Sequence, residues 1–306
     1  MLHEMPLVIF TIFASMSAGS FIVLGLVHVF GVRVPEKVMD KVTDPALYAI
    51  GPLLVLGLGA SMFHLGSPLR AVNAIRHFPA SALSREIVFG IAFLGLGAAF
   101  AVLQWFKWFN HRLRQVLAIV TAAVGVLLVW TISQVYSLRS VPAWATAYTP
   151  LRFFITAGLL GGLAVAAAVV IASYVRTRRN VAYNEDERGL VRRVLEGIAV
   201  GSVALMGAKY VAQPAYFGYL ANHADPSAQA SLSVLTDTYS GFSAAQNILV
   251  FLGVMAMVVL LYRLARGAEV KGLLPALAVV AFALVFVGEF FGRQLFYASM
   301  VSSGGF

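Results

Sequence analysis

The chain has 306 residues, of which 60% are hydrophobic and only 11% charged, and it carries a formal net charge of +9. Soluble domains carry about 25% charged residues, so this composition, with a mean hydropathy of +0.86, excludes a soluble globular protein. There is no cysteine, which leaves the chain neither a disulfide nor a thiolate-bound iron–sulfur cluster.

A helical bilayer span needs roughly 20 apolar residues. The sequence offers eight such stretches, at about 7–31, 45–65, 84–106, 115–136, 151–174, 191–212, 245–264 and 273–299. Backbone in lipid must satisfy its own hydrogen bonds, and runs of this length do so as helices rather than strands. The expected class is an all-α polytopic membrane protein with eight transmembrane helices, residues 1–306 forming a single integral membrane domain.

The first apolar run follows His3 and Glu4, has no basic lead-in and ends near Gly31 without an evident cleavage site, so it reads as a retained helix. The second run ends at His64, which opens the segment His64-Leu65-Gly66-Ser67-Pro68-Leu69-Arg70. A polar connection with Arg76, His77 and Arg85 leads to Glu86 at the start of the third run. The stretch 176–193 is rich in both charge signs, while 213–244 has no Lys or Arg and an amphipathic run near 227–239 that predicts a short surface helix. Lys209 lies near the end of the sixth run, where snorkelling to the interface is the default for a lysine. His28, at the far end of the first run, reads as interfacial. The last run carries Glu289, Arg293 and Tyr297, each one helical turn apart. Small-residue pairs spaced by four, Gly158/Gly162, Gly197/Gly201 and Gly288/Gly292, predict close helix packing.

Placing Lys and Arg in alternate loops puts fifteen of the 22 on one side, among them Arg33, Lys107, Arg114, Arg179, Arg193 and Arg266. Six fall on the other side (Arg70, Arg76, Arg85, Arg139, Arg152 and Arg293), and Lys209 lies within a span. The positive-inside rule makes the larger group cytoplasmic. Both termini and the His64 segment then lie outside, and the basic charge signals topology rather than a nucleic-acid site.

Ionisable groups in or at the lip of a span are functional candidates by default. Here they gather on the outer side. A quinol releases two electrons and two protons, so its hydroxyls need an imidazole or carboxylate acceptor. His64 and Glu86 supply that pair, with Arg70 placed to hold Glu86 ionised. The spacing equally allows Glu86 to pair with Arg85 or Arg70 while His64 caps its helix. Glu289 and Arg293, at i and i+4, read as a self-neutralising pair that locks helices, with a proton-path role as the alternative. No two histidines fall on facing spans at one depth, so no haem is expected on this chain.

Four segments carry a resemblance: HEMPLVIFT at the N-terminus, ASMFHLGSPLRAVNAIRHFPASALSREI, VPAWATAYTPLRFF, and GEFFGRQLFY in the last span. On these the chain resembles the membrane-anchor subunit of bacterial dimethyl-sulfoxide reductases, the DmsC family, related to the polysulfide-reductase and NrfD-type anchors. The likeness is strongest over 1–157 and 280–299. It implies an eight-helix anchor in the bacterial inner membrane with both termini periplasmic. It further implies two partners on the periplasmic face: a molybdopterin catalytic subunit, and an iron–sulfur subunit with four 4Fe-4S clusters. Menaquinol would be oxidised at the anchor and its electrons passed to the nearest cluster. The family's quinol-binding histidine and glutamate correspond to His64 and Glu86, with Ser67 and Arg70 in the same segment. The rival expectations are a purely structural anchor, and a secondary transporter, which would place charged sites at the midplane of inverted repeats.

Overall fold

The computed structural model describes residues 5–64, 78, 81–181, 184–267 and 273–303, and leaves undescribed the side chains of 53, 54 and 56–64. Among the described residues there are nine α-helices and no strand. They are α1 (Met5–Phe30), α2 (Glu36–His64), α3 (Ala82–Phe106), α4 (His111–Tyr136), α5 (Tyr148–Arg178), α6 (Glu185–Ala221), α7 (Pro226–Ser233), α8 (Ser240–Ala265) and α9 (Leu273–Ala298). All but α2 and α7 are long and apolar enough to cross a membrane. Each expected span lies inside, or within a residue of, one of the long helices. The short helix expected near 227–239 is α7, prolonged by one π-helical turn, Val234–Thr238.

Polar side chains fix several helix starts as caps. The Asn110 amide oxygen accepts from Leu113 N at 2.8 Å, Asn184 from Glu187 N at 2.8 Å, and Asp225 from Ser227 N at 2.9 Å. α6 runs nine residues beyond its expected end at 212, through Pro214. Proline removes one ladder hydrogen bond, but Tyr216, two residues on, is anchored: its hydroxyl donates to Ala143 O at 3.0 Å and its ring stacks on Tyr148 at 4.3 Å.

α1 and α5 form the centre of the bundle. In each, 72% of the most apolar window is buried, against 28% in α3 and α8, whose outer faces are left for lipid. The two central helices cross at backbone contact, because a Cβ on Gly19 would lie 1.8 Å from Ala157 O and one on Gly161 would lie 2.2 Å from Gly19 C. Ser20 Oγ donates to Gly161 O at 3.3 Å across the crossing. Gly158 and Gly162 face Leu205 and Ile198 of α6, and Gly288 and Gly292 face Gln246 of α8, as close packing requires. Gly197 and Gly201 do not. Nothing stands within 4 Å of a Cβ at either, because that face of α6 points out of the bundle and Val200 beside it is 68% exposed.

A polar lattice ties the end of the bundle where α2 begins. Gln104 of α3 donates to Asp40 at 2.6 Å and Asp44 at 2.7 Å, and accepts from Arg114 of α4 at 2.8 Å. Lys107 lies 2.8 Å from both carboxylates, and Arg114 also pairs with Glu36. Burial pushes the Asp40 carboxyl up, but the Lys107 and Gln104 hydrogen bonds and the Lys107 and Arg114 charges outweigh it and hold Asp40 below the usual carboxylate range. Glu187 of α6, 1% exposed, joins this end through Lys41 at 2.5 Å and Arg176 at 3.4 Å. His28 is buried here, against the interfacial position expected of it. α1 is central, so its end is roofed by neighbours, with Phe100 edge-on to the imidazole at 6.1 Å.

Candidate functional site

The opposite end of the bundle gathers the start of α1, the end of α2, the start of α3, the end of α4, the start of α5 and the ends of α6 and α9. His64 is the last residue of α2, so its backbone lies at this end. Its side chain, and all of Ser67 and Arg70, lie outside the described residues. Glu86 sits in the second turn of α3, after the Ser81 cap, and is 8% exposed. Among the described residues it makes no ion pair, and the adjacent Arg85 keeps a buried Nε without a partner. Glu86 therefore does not pair with Arg85. It interacts electrostatically with Tyr136 at the end of α4 and Tyr297 at the end of α9.

Tyr297 is 5% exposed and lies edge-on to Tyr136 at 5.5 Å, with its hydroxyl 3.5 Å from Thr11 Oγ1 of α1. Around them stands an aromatic wall. Tyr136 stacks on Phe153 at 5.7 Å and Trp144 stacks on Phe296 at 4.7 Å. The indole of Trp144 donates to Phe296 O at 3.0 Å, and Thr149 Oγ1 donates to Trp144 O at 2.8 Å. These bonds explain why the VPAWATAYTPLRFF stretch, which has no helical periodicity at its start, is fixed against the last helix.

The charges of α9 are arranged differently from the expectation. Glu289 and Arg293 form no pair with each other. Glu289, 3% exposed, accepts from Lys209 Nζ at 2.6 Å on one oxygen and from Thr156 Oγ1 at 2.6 Å on the other. Lys209 does not snorkel: it is 4% exposed, because α6 turns that face toward α5 and α9 and the carboxylate waits there. Arg293 instead sits over the Phe153 ring, 3.8 Å from its centroid, and neither Nη atom has a partner among the described residues. Arg152, at the start of α5, donates to Gly292 O.

The result is a set of buried polar groups gathered at one end of the bundle. Glu86, Tyr136 and Tyr297 stand on one side, the Lys209–Glu289 pair on the other, and Arg293 lies between them within electrostatic reach of both tyrosines and Glu289. Such a site can accept and hold protons near an aromatic, apolar surface. Sequence reasoning missed Tyr136, Phe153, Thr156 and Lys209 as members. Only Lys209, a cation within a span, carried a signal of its own. No group of three or more metal-ligating side chains occurs among the described residues.

The model of the DMSO reductase anchor subunit (DmsC) family matches residues 1–299, including the 175–245 stretch where the segment resemblance is weakest. The protein is 31% identical over 309 residues to the C component of anaerobic dimethyl sulfoxide reductase of Escherichia coli strain K12, across 99% of this sequence and 96% of that one. It is 29% identical over 303 residues to the YnfH component of an anaerobic dimethyl sulfoxide reductase of the same organism, with the same coverage. A shorter match, 38% over 114 residues and 35% of this sequence, joins it to 34% of the C component of sulfite dehydrogenase of Allochromatium vinosum. The family match takes in all nine described helices, including both that supply the buried Lys209–Glu289 pair, and the chain belongs to the DMSO reductase anchor subunit (DmsC) family.

Proposed function

We propose that this membrane anchor of a reductase complex binds menaquinol on the periplasmic side of the inner membrane and oxidises it. The quinol is converted to quinone, its two electrons pass to an iron–sulfur cluster of a partner subunit, and its two protons leave to the periplasm. The partners are an iron–sulfur subunit with four 4Fe-4S clusters and, behind it, a molybdopterin catalytic subunit. Counting α2 gives eight spans in one integral membrane domain, and the excess of Lys and Arg at the Arg114 end supports periplasmic termini.

The observation that carries this reading is Glu86. It is a buried carboxyl, without an ion-pair partner among the described residues, at the bundle end where α2 delivers His64. A carboxylate committed to structure would be paired. Glu86 lies within electrostatic range of Tyr136 and Tyr297 and pairs with no described cation, which supports it as acceptor of a quinol proton. In this mechanism His64 hydrogen-bonds the headgroup, Glu86 accepts a proton, and Arg70 with Ser67 supplies polar support from the same segment.

Glu86→Gln keeps the shape and removes the base. It is expected to slow reduction of the partner clusters by a menaquinol analogue by about 10²–10⁴-fold, while the complex still co-purifies. Electron paramagnetic resonance of those clusters after rapid mixing measures the rate. Wild-type rates in the variant would leave Glu86 an interfacial charge and favour a purely structural anchor.

A further inference from the structure

Arg293 is a buried cation whose terminal donors are uncompensated. It is 2% exposed, and both Nη atoms are buried with no acceptor among the described residues. A guanidinium has five donors, no acceptor, and stays charged in proteins, so this arrangement is costly unless something accepts those N–H groups. The neighbouring acceptors are turned to other donors, and none among the described residues comes within hydrogen-bond reach of either Nη atom. Both oxygens of Glu289 serve Lys209 and Thr156, and the Gly292 carbonyl serves Arg152. Phe153 holds the guanidinium through its ring face at 3.8 Å. A ring face fixes the position of the cation and leaves its terminal donors free.

Charge counting points the same way. Within the cluster that couples to it, Arg152, Lys209 and Arg293 itself stand against the single carboxylate of Glu289. The surroundings select among acceptors. Phe153, Tyr136, Phe296 and Tyr297 suit a flat aromatic ring rather than a small hydrated anion.

We infer that Arg293 is a quinol-binding residue, whose two Nη groups donate to one headgroup oxygen and favour the negative charge that develops there as the quinol proton leaves. This rests on the quinol reading above and adds to it a residue of the last helix. The headgroup is thereby held between α9 and the Glu86 end of α3, at the opposite end of the bundle from the Arg114 lattice.

The test uses the whole complex carrying Arg293→Gln, Arg293→Lys or Glu86→Gln. The probe is 2-heptyl-4-hydroxyquinoline N-oxide, a quinol-site ligand with an anionic oxygen, titrated by its fluorescence. Dithionite reduction of the partner clusters reports intact assembly. Arg293→Gln is expected to weaken probe binding by about 100-fold, the range for truncating one side of a buried charged contact. Arg293→Lys, which keeps the charge and loses the fork, should fall between, near about 10-fold. Probe binding within about twofold of wild type in Arg293→Lys or Arg293→Gln overturns the inference, and if Arg293→Gln does not assemble, the lysine variant alone decides. If that occurs while Glu86→Gln still slows quinol oxidation, the quinol reading stands without Arg293. No probe binding in wild type, with Glu86→Gln unimpaired, overturns both.

Discussion

Glu289→Gln is expected to cost the protein about 3–5 kcal/mol, the range for removing one partner of a buried ion pair. Glutamine can still accept from Thr156, but Lys209 is then buried without a counter-charge and within reach of Arg152 and Arg293. Lys209→Met removes the same pair from the other side and should cost less. Glu289 then keeps its Thr156 bond, and the charges of Arg152 and Arg293 partly compensate it. The order of the two variants tests the arrangement more sharply than either loss alone. A double variant, Lys209→Met with Glu289→Leu, should recover most of the loss, because apolar residues of similar volume often replace a buried pair without penalty. Thermal unfolding of the detergent-solubilised complex measures all three. Equal midpoints for wild type and Glu289→Gln would mean that water reaches the pair and that α6 and α9 are not held by it.

The second large effect is steric. Gly19→Ala and Gly161→Ala should each prevent α1 and α5 from packing, and the protein should fail to accumulate in membranes. The atoms in the way are backbone: Ala157 O and C at 1.8 and 2.5 Å from one added Cβ, and Gly19 C and Ser20 N at 2.2 and 2.3 Å from the other. No side-chain rotation relieves such contacts, so the helices must separate and give up the Ser20–Gly161 hydrogen bond. Overpacking costs about 1–3 kcal/mol where side chains can yield and more where they cannot. Gly197→Ala is the control, since its added methyl meets nothing within 4 Å, and membrane levels should match wild type. Normal accumulation of Gly19→Ala would show that the crossing is looser than described.

The helices were readable from the sequence because a bilayer imposes length and apolarity on every span, and those are local properties. The start of α6 and its run past Pro214 were less so. Asn184 caps α6 at Glu185, six residues ahead of the expected span start at 191, and a proline inside a helix is visible only through the tertiary contacts of Tyr216 that hold it. The convergence of Glu86, Glu289, Arg293 and Tyr297 on one end followed from counting spans alternately. Which charge meets which did not. Glu289 and Arg293 share a face of α9 at the spacing of an ion pair, yet Glu289 turns to α6 and Arg293 to α5. Local spacing records neither the order of helices around the bundle nor their rotation, and both decide partners. Lys209 is the clearest case, because an end-of-span lysine snorkels unless a carboxylate on a neighbouring helix lies within reach.

The close crossing of α1 and α5 also bears on how the protein is made. Ser20 and its acceptor Gly161 lie 141 residues apart, and a ribosome adds about 5–20 residues per second, so α1 enters the bilayer on the order of ten seconds before its main partner exists. During that interval two of its hydroxyls are satisfied within its own turns, Thr11 donating to Leu7 O and Ser20 to Met16 O, both at 2.8 Å. Insertion can proceed helix by helix, but the centre of the bundle cannot close until the fifth long helix emerges. A translation arrest before α5 would strand the first four with the glycine groove of α1 open to lipid, a ready substrate for membrane quality control.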